Sequence, residues 1–179
     1  MRNAAYQCFR DNQKTQVTRE DVDFLVRHMR SEDRAEARAF VGPCSPDIHV
    51  ADLWEACVTS DMAAVIYLPG TVTPMALYGA GSFPEFPGVG FIWMHGTPDI
   101  AGAGRWAFLR SGRYGVAELQ GKYALLVCYA DSRNTLHTRW LRWMGFTPLA
   151  TRYFHDPLVP FLEFVLPGTA SIAAQEALP

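Results

Sequence analysis

The chain has 179 residues, 49% of them hydrophobic and 19% charged, with a formal net charge of −2. This is an ordinary globular composition, enough for one domain to bury roughly 70% of its unfolded surface, and it excludes a disordered chain. The charge gives no global field for nucleic acid, no window reaches the roughly eighteen apolar residues of a membrane span, and the cysteines (Cys8, Cys44, Cys57, Cys128) form no close pair that would hold zinc or cycle a disulfide.

Residues 1–16 are polar, carry Arg2, Arg10 and Lys14, and lack the apolar centre of a signal peptide. They are expected to form an arm ahead of a single domain spanning 17–167. Val22, Leu25, Val26 and Met29 share one face of a predicted helix, with Thr18 as its N-cap and Asp21 near its first turn. A charged helix over 32–40 follows, stopped by Gly42-Pro43, and then a third over 46–60 with Val50, Leu53, Trp54 and Cys57 in register.

The period then shortens. Residues 63–68, 75–83 and 89–94 read as three strands, joined by turns at Pro69-Gly70 and Phe86-Pro87-Gly88. Gly79 and Gly81 mark a bulge or a close backbone approach. Residues 102–119 are a helix with Trp106, Leu109, Val116 and Leu119 apolar, weakened by Gly112 and Gly115. A strand at 123–129, a helix at 136–143 and strands near 149–154 and 161–166 complete the order. The tail, 168–179, is small and Ala-rich, either frayed or docked on a partner. The pattern is mixed α/β with a central sheet and helices on its faces.

Within this order, Asn134 follows an apolar strand, a short helix follows the Asn, and Gly145-Phe146 closes the segment eleven and twelve residues later. Ahead of it, Asp99-Ile100-Ala101-Gly102-Ala103-Gly104-Arg105 leads into a helix. Read locally, the Gly-x-Gly is a tight strand-to-helix turn, and Asn134 is an N-cap contributing about 1 kcal/mol. Trp140, Trp143 and Phe146 read as core anchors against Val127 and Leu125. No Ser-His-Asp set and no metal-ligand spacing is present. Glu85 and His95 are the weak acid–base candidates, each beside one of the sheet's turns, and His95 reads equally as a structural hydrogen-bonder. A local basic surface around Arg133, Arg139 and Arg142 reads as a solvated helix face.

From residue 63 onward the chain resembles the acyl-CoA N-acetyltransferase (GNAT) family. The resemblance implies a mixed, mostly antiparallel central sheet with helices on both faces, and acetyl-CoA as cofactor with no metal. It implies that Trp93, Met94, Gly102, Ala103, Gly104, Arg105 and Asn134 contact that cofactor at a splayed sheet centre, with a V-shaped opening lined by Trp93, Met94, Gly96 and Asn134. Two positions depart from the family's pattern. Leu141 stands where the family commonly has a Tyr that protonates the leaving thiolate, and Asp99 stands where it has Arg or Gln beside the pyrophosphate. A replacement acid must come from another element, with Tyr123, Tyr129 and Tyr153 as the candidates.

A narrower resemblance lies in Gly90-Phe91-Ile92-Trp93-Met94-His95-Gly96-Thr97-Pro98, Arg105-Trp106-Ala107-Phe108-Leu109-Arg110 and His137-Thr138-Arg139-Trp140-Leu141-Arg142-Trp143-Met144-Gly145-Phe146. These are similar to the internal virion (core) protein A family of short-tailed bacteriophages. That likeness implies a virion-associated or morphogenesis protein with weak or no acetyl transfer, found in the host cytoplasm and the virion. Its partners would be other phage virion proteins or further copies of itself. The alternative is an active acetyl-CoA-dependent N-acetyltransferase acting on an amine of a protein or small molecule.

Overall fold

The computed structural model describes residues 17–170; the expected arm and residues 171–179 of the expected tail lie outside the described residues. Helix α1 (Arg19–His28) opens with the predicted cap. The Asp21 amide donates to Thr18 Oγ1 at 3.2 Å, and the Thr18 amide donates back to Asp21 Oδ2 at 3.0 Å. Helix α2 (Ser31–Val41) ends at Gly42, whose φ of 99° suits glycine. Helix α3 (Pro46–Thr59) begins with Ser45 as N-cap and a proline in its first turn.

Six strands form one sheet: β1 (Met62–Tyr67), β2 (Pro74–Phe83), β3 (Phe86–Gly96), β4 (Leu125–Asp131), β5 (Thr147–Arg152) and β6 (Phe161–Pro167), in the order β1-β2-β3-β4-β6-β5. Only β3 and β4 run parallel; the other neighbours are antiparallel. The crossover between them is a 3₁₀ turn (Pro98–Ile100) and helix α4 (Arg105–Lys122). Helix α5 (Thr135–Trp143) connects β4 to β5. On one face, Val22, Leu25 and Val26 of α1 and Leu53 of α3 pack on Val65 and Leu77. On the other, Leu119 of α4 and Leu141 of α5 pack on Leu126, Cys128 and Phe164. Helices therefore cover both faces of a mostly antiparallel sheet, as expected.

The aromatic face of α5 is only partly core. Phe146 and Val127 are buried, Leu125 at the strand's start is half-buried, and Trp143 is 49% exposed. Trp143 lies two residues beyond the buried Leu141, about 200° around the helix, so it points outward under the Arg113 guanidinium. Gly79 marks a close approach and not a bulge, since a Cβ there would fall 2.4 Å from Trp93 Cζ2, whereas a Cβ at Gly81 would meet only ordinary contact. The irregularity in pairing lies further on, between Ser82 and Phe83. Gly168 and Thr169 donate their amides to Ala124 and Gln120 carbonyls, so the first part of the tail docks on the chain's own α4–β4 turn.

Strands β3 and β4 pair at only three positions, Val89 with Leu125, Gly90 with Leu126 and Phe91 with Val127. Beyond these, β3 continues to Gly96 paired with β2 alone, and β4 to Asp131 paired with β6 alone. The sheet splits at its centre, and that split positions everything below.

Candidate active site at the parted strands

Past the split, side chains of β3 alternate between faces. Phe91 lies against Tyr129 and His95 against His49 on the α2–α3 side, while Ile92 and Met94 join the clusters under α4 and α5. A cavity of about 290 Å³ occupies the opening and takes its walls from both faces. Of the four residues expected at the opening, Trp93 and Met94 line the cavity, and His95 lines it with them. Gly96 and Asn134 do not; both are committed to a polar clasp.

That clasp is built from α2. The buried Asp33 carboxylate accepts from Arg30 Nε at 3.2 Å, from the Gly96 amide at 2.8 Å and from Asn134 Nδ2 at 3.2 Å. Asn134 Nδ2 also donates to Glu36 Oε2 at 2.9 Å, and Asn134 Oδ1 caps α5 by accepting from the His137 amide at 3.3 Å. His137 Nδ1 lies 3.6 Å from the same Glu36 oxygen. The end of β3 and the start of α5, which diverge with the split, are thus tied together through two carboxylates of one helix. The cap reading of Asn134 holds, and both of its Nδ2 hydrogens are engaged by α2.

Three imidazoles face this region with different charge preferences. Burial, reinforced by neighbouring His95, pulls His49 down to about 4. Burial likewise lowers His95. The two rings meet edge-on, centroids 6.0 Å apart, and both are neutral at pH 7. For His137, burial opposes the charge but Glu36 outweighs it, and the net shift is upward. Burial also raises the Tyr129 phenol, which lines the cavity in protonated form. Neutral imidazoles and a protonated phenol lining one cavity can move one proton on and one off.

The remaining candidates fall elsewhere. Glu85 is exposed in the β2–β3 turn, at the end of β3 opposite the split, and is removed from the site by the strand's length. Tyr123 donates to Asp61 Oδ2 at 2.6 Å, and Tyr153 is 59% exposed. Leu141 lines the cavity, so the position expected to hold an acid faces the right space without a proton to give.

The glycine turn leads into the N-terminus of the 18-residue α4. Gly104 is fixed by contact, since a Cβ there would fall 1.9 Å from Met75 Sδ; Gly102 and Ala103 are exposed. The amides of Gly102 and Gly104 donate to the Asp99 carbonyl, and Thr97 Oγ1 donates to its carboxylate at 3.5 Å. Among the described residues, no acceptor meets the amides of Ala103, Trp106 or Ala107. Arg105 lies over the exposed Trp106 ring at 4.6 Å. Open amides, a helix dipole and a cation together suit a phosphate group.

Sequence reasoning passed over His49, His137 and Glu36. The one available signal was His137, three residues after the capping Asn134; Glu36 sits on a helix whose charges read as solvated.

This arrangement is the GNAT fold. The chain is similar to an N-acetyltransferase from Staphylococcus aureus Mu50 (TM-score 0.60, 15% identity, 86% of this chain and 96% of that one). It is similar to the ribosomal-protein-S5-alanine acetyltransferase from Vibrio fischeri (TM-score 0.60, 12% identity, 86% and 91%). A third is yncA from Salmonella typhimurium, solved with its cofactor acetyl-CoA (TM-score 0.57, 16% identity, 89% and 96%). At these identities the likeness is one of fold. No protein-family model and no curated protein matches the chain.

Proposed function

We propose that the protein is an acetyl-CoA-dependent N-acetyltransferase. The observation that carries this reading is the parting of β3 and β4 after Phe91 and Val127 over a cavity walled by the neutral His49 and His95. The fit to acetyl-CoA rests on two features: the open amides of Ala103, Trp106 and Ala107 beside Arg105, which would hold the pyrophosphate, and the gap flanked by Met94 and Trp93, which would take the arm. Acetyl-CoA supplies an acetyl group activated as a thioester. His95 takes the proton of the acceptor ammonium at a ring nitrogen. Tyr129 supplies the proton that Leu141 lacks.

Glu36 and Asp52 give the acceptor side of the cavity negative charge, and Phe40, Val41 and Leu53 give it an apolar wall. A primary amine on an apolar body fits that lining. Asp99 does not oppose the phosphates unanswered, because Thr97 engages its carboxylate and Arg105 follows the glycines. The virion role, its phage partners and its location in host cytoplasm and particle rest on the sequence resemblance alone and stand as the second reading.

Calorimetric titration of the full chain with acetyl-CoA, followed by a free-thiol assay on a panel of small amines, tests the proposal. Binding near micromolar Kd, about −8 kcal/mol, is expected, with turnover reduced roughly 100-fold in His95→Ala. No heat at about 1 mM ligand overturns it.

A further inference from the structure

Resting on the acetyl-CoA reading, we infer that Trp140 is a binding residue whose Nε1–H donates to an amide carbonyl of the ligand's arm. Its indole stacks on Phe108 of α4, centroids 5.1 Å apart at 30°, and lines the cavity. The stack is possible because residue 112 is glycine: a Cβ there would fall 3.0 Å from Trp140 Cζ2. The glycine that weakens α4 therefore makes the slot for the ring.

Nε1 is buried and has no hydrogen-bond partner among the described residues. Buried donors are almost always paired, and an indole can only donate. Ile92, Met94, Val116 and Leu141 of the lining carry no side-chain acceptor, and Tyr78, which packs on the same cluster as Trp140, carries a hydroxyl in that wall. Asn134, the other amide donor near the opening, is spent on Asp33 and Glu36. Two donors, the Trp140 indole and the Tyr78 hydroxyl, in a largely apolar lining are matched by a slender chain carrying an occasional carbonyl, which describes the amide-bearing arm of CoA and not an acceptor amine.

Indole resonances of the full chain in a ¹H–¹⁵N spectrum read this directly. The chain has five tryptophans, and the signal absent from Trp140→Phe assigns Trp140. Titration with CoA, and separately with acetyl-CoA, is expected to move that signal downfield. Trp140→Phe keeps the stack on Phe108 and is expected to bind both ligands about tenfold more weakly. Should that variant fail to fold, Gly112→Ala, whose Cβ would press on Trp140 Cζ2 from 3.0 Å, is expected to shift the Trp140 signal, which assigns it, and to weaken binding of both ligands. Binding heat with a stationary Trp140 signal overturns the inference and leaves the acetyl-CoA reading intact. No heat with either ligand overturns that reading, and this inference with it.

Discussion

Asn134 Nδ2 lies 2.9 Å from Glu36 Oε2, joining residues 98 positions apart across the mouth of the split sheet. Glu36 shares that oxygen with His137, and Asp33 on the same helix holds the Gly96 amide. Two strands whose own pairing stops at Phe91 and Val127 are thus kept at a fixed separation by a third element.

This clasp titrates. His137 is raised by folding, so the stability it contributes is fully present below its unfolded value of about 6.5 and is lost as pH rises through the folded value. Urea midpoints are expected to decline above about pH 6.5 in the wild type and to flatten in Glu36→Gln. Equal slopes in the two proteins would sink the assignment to this pair.

His49 has the opposite sign. Its folded value is lowered to about 4, so its contribution is present above the unfolded value and is lost as pH falls toward 4. Replacing His49 with Gln, which does not titrate, is expected to flatten the acid limb of the stability profile while leaving the limb above pH 7 in place. An unchanged acid limb would show that His49 stays solvated.

The two glycines of the α4 turn are expected to separate cleanly. Gly104→Ala drives a methyl group into Met75 and should cost about 1–3 kcal/mol, whereas Gly102→Ala meets only ordinary contact at 3.5 Å and should cost less than about 0.5 kcal/mol. Denaturant melts of both variants measure the difference; similar losses would mean that the Met75 side chain yields.

Trp143 and Phe146 test how far the core extends. Trp143→Ala is expected to cost less than about 1 kcal/mol because the ring is half-exposed, and Phe146→Ala about 3–5 kcal/mol because it is 3% exposed. The reverse ranking in chemical denaturation would contradict the packing described for α5.

The sequence made the architecture readable because each element carries a local signature: the Thr18–Asp21 cap, the alternating strands, and Gly42 and Gly145 at turns with positive φ. Trp143 was misplaced because α5 is only nine residues long, too short for an apolar stripe to declare which aromatic faces inward. The site was half-readable. Trp93 and Met94 are implied by the family resemblance and His95 by its place at a strand's end, but Glu36 and His49 reach the site from helices that precede the sheet, and no spacing within one segment encodes such contacts. Glu85 has the chemistry and lies beside a turn of the sheet, but the length of β3 puts that turn at the end away from the split.

A sheet ordinarily has two rims, and the division between β3 and β4 gives this one two more, facing inward. Exposed rims invite strands from other chains to add on. These inner rims are screened, since α2 crosses the gap through its bonds to Gly96 and Asn134 and the apolar side of α5 covers the opposite face. The unpaired backbone positions of the gap are left to whatever is thin enough to lie between two strands, and undocking α2 would uncover them to strands of other chains.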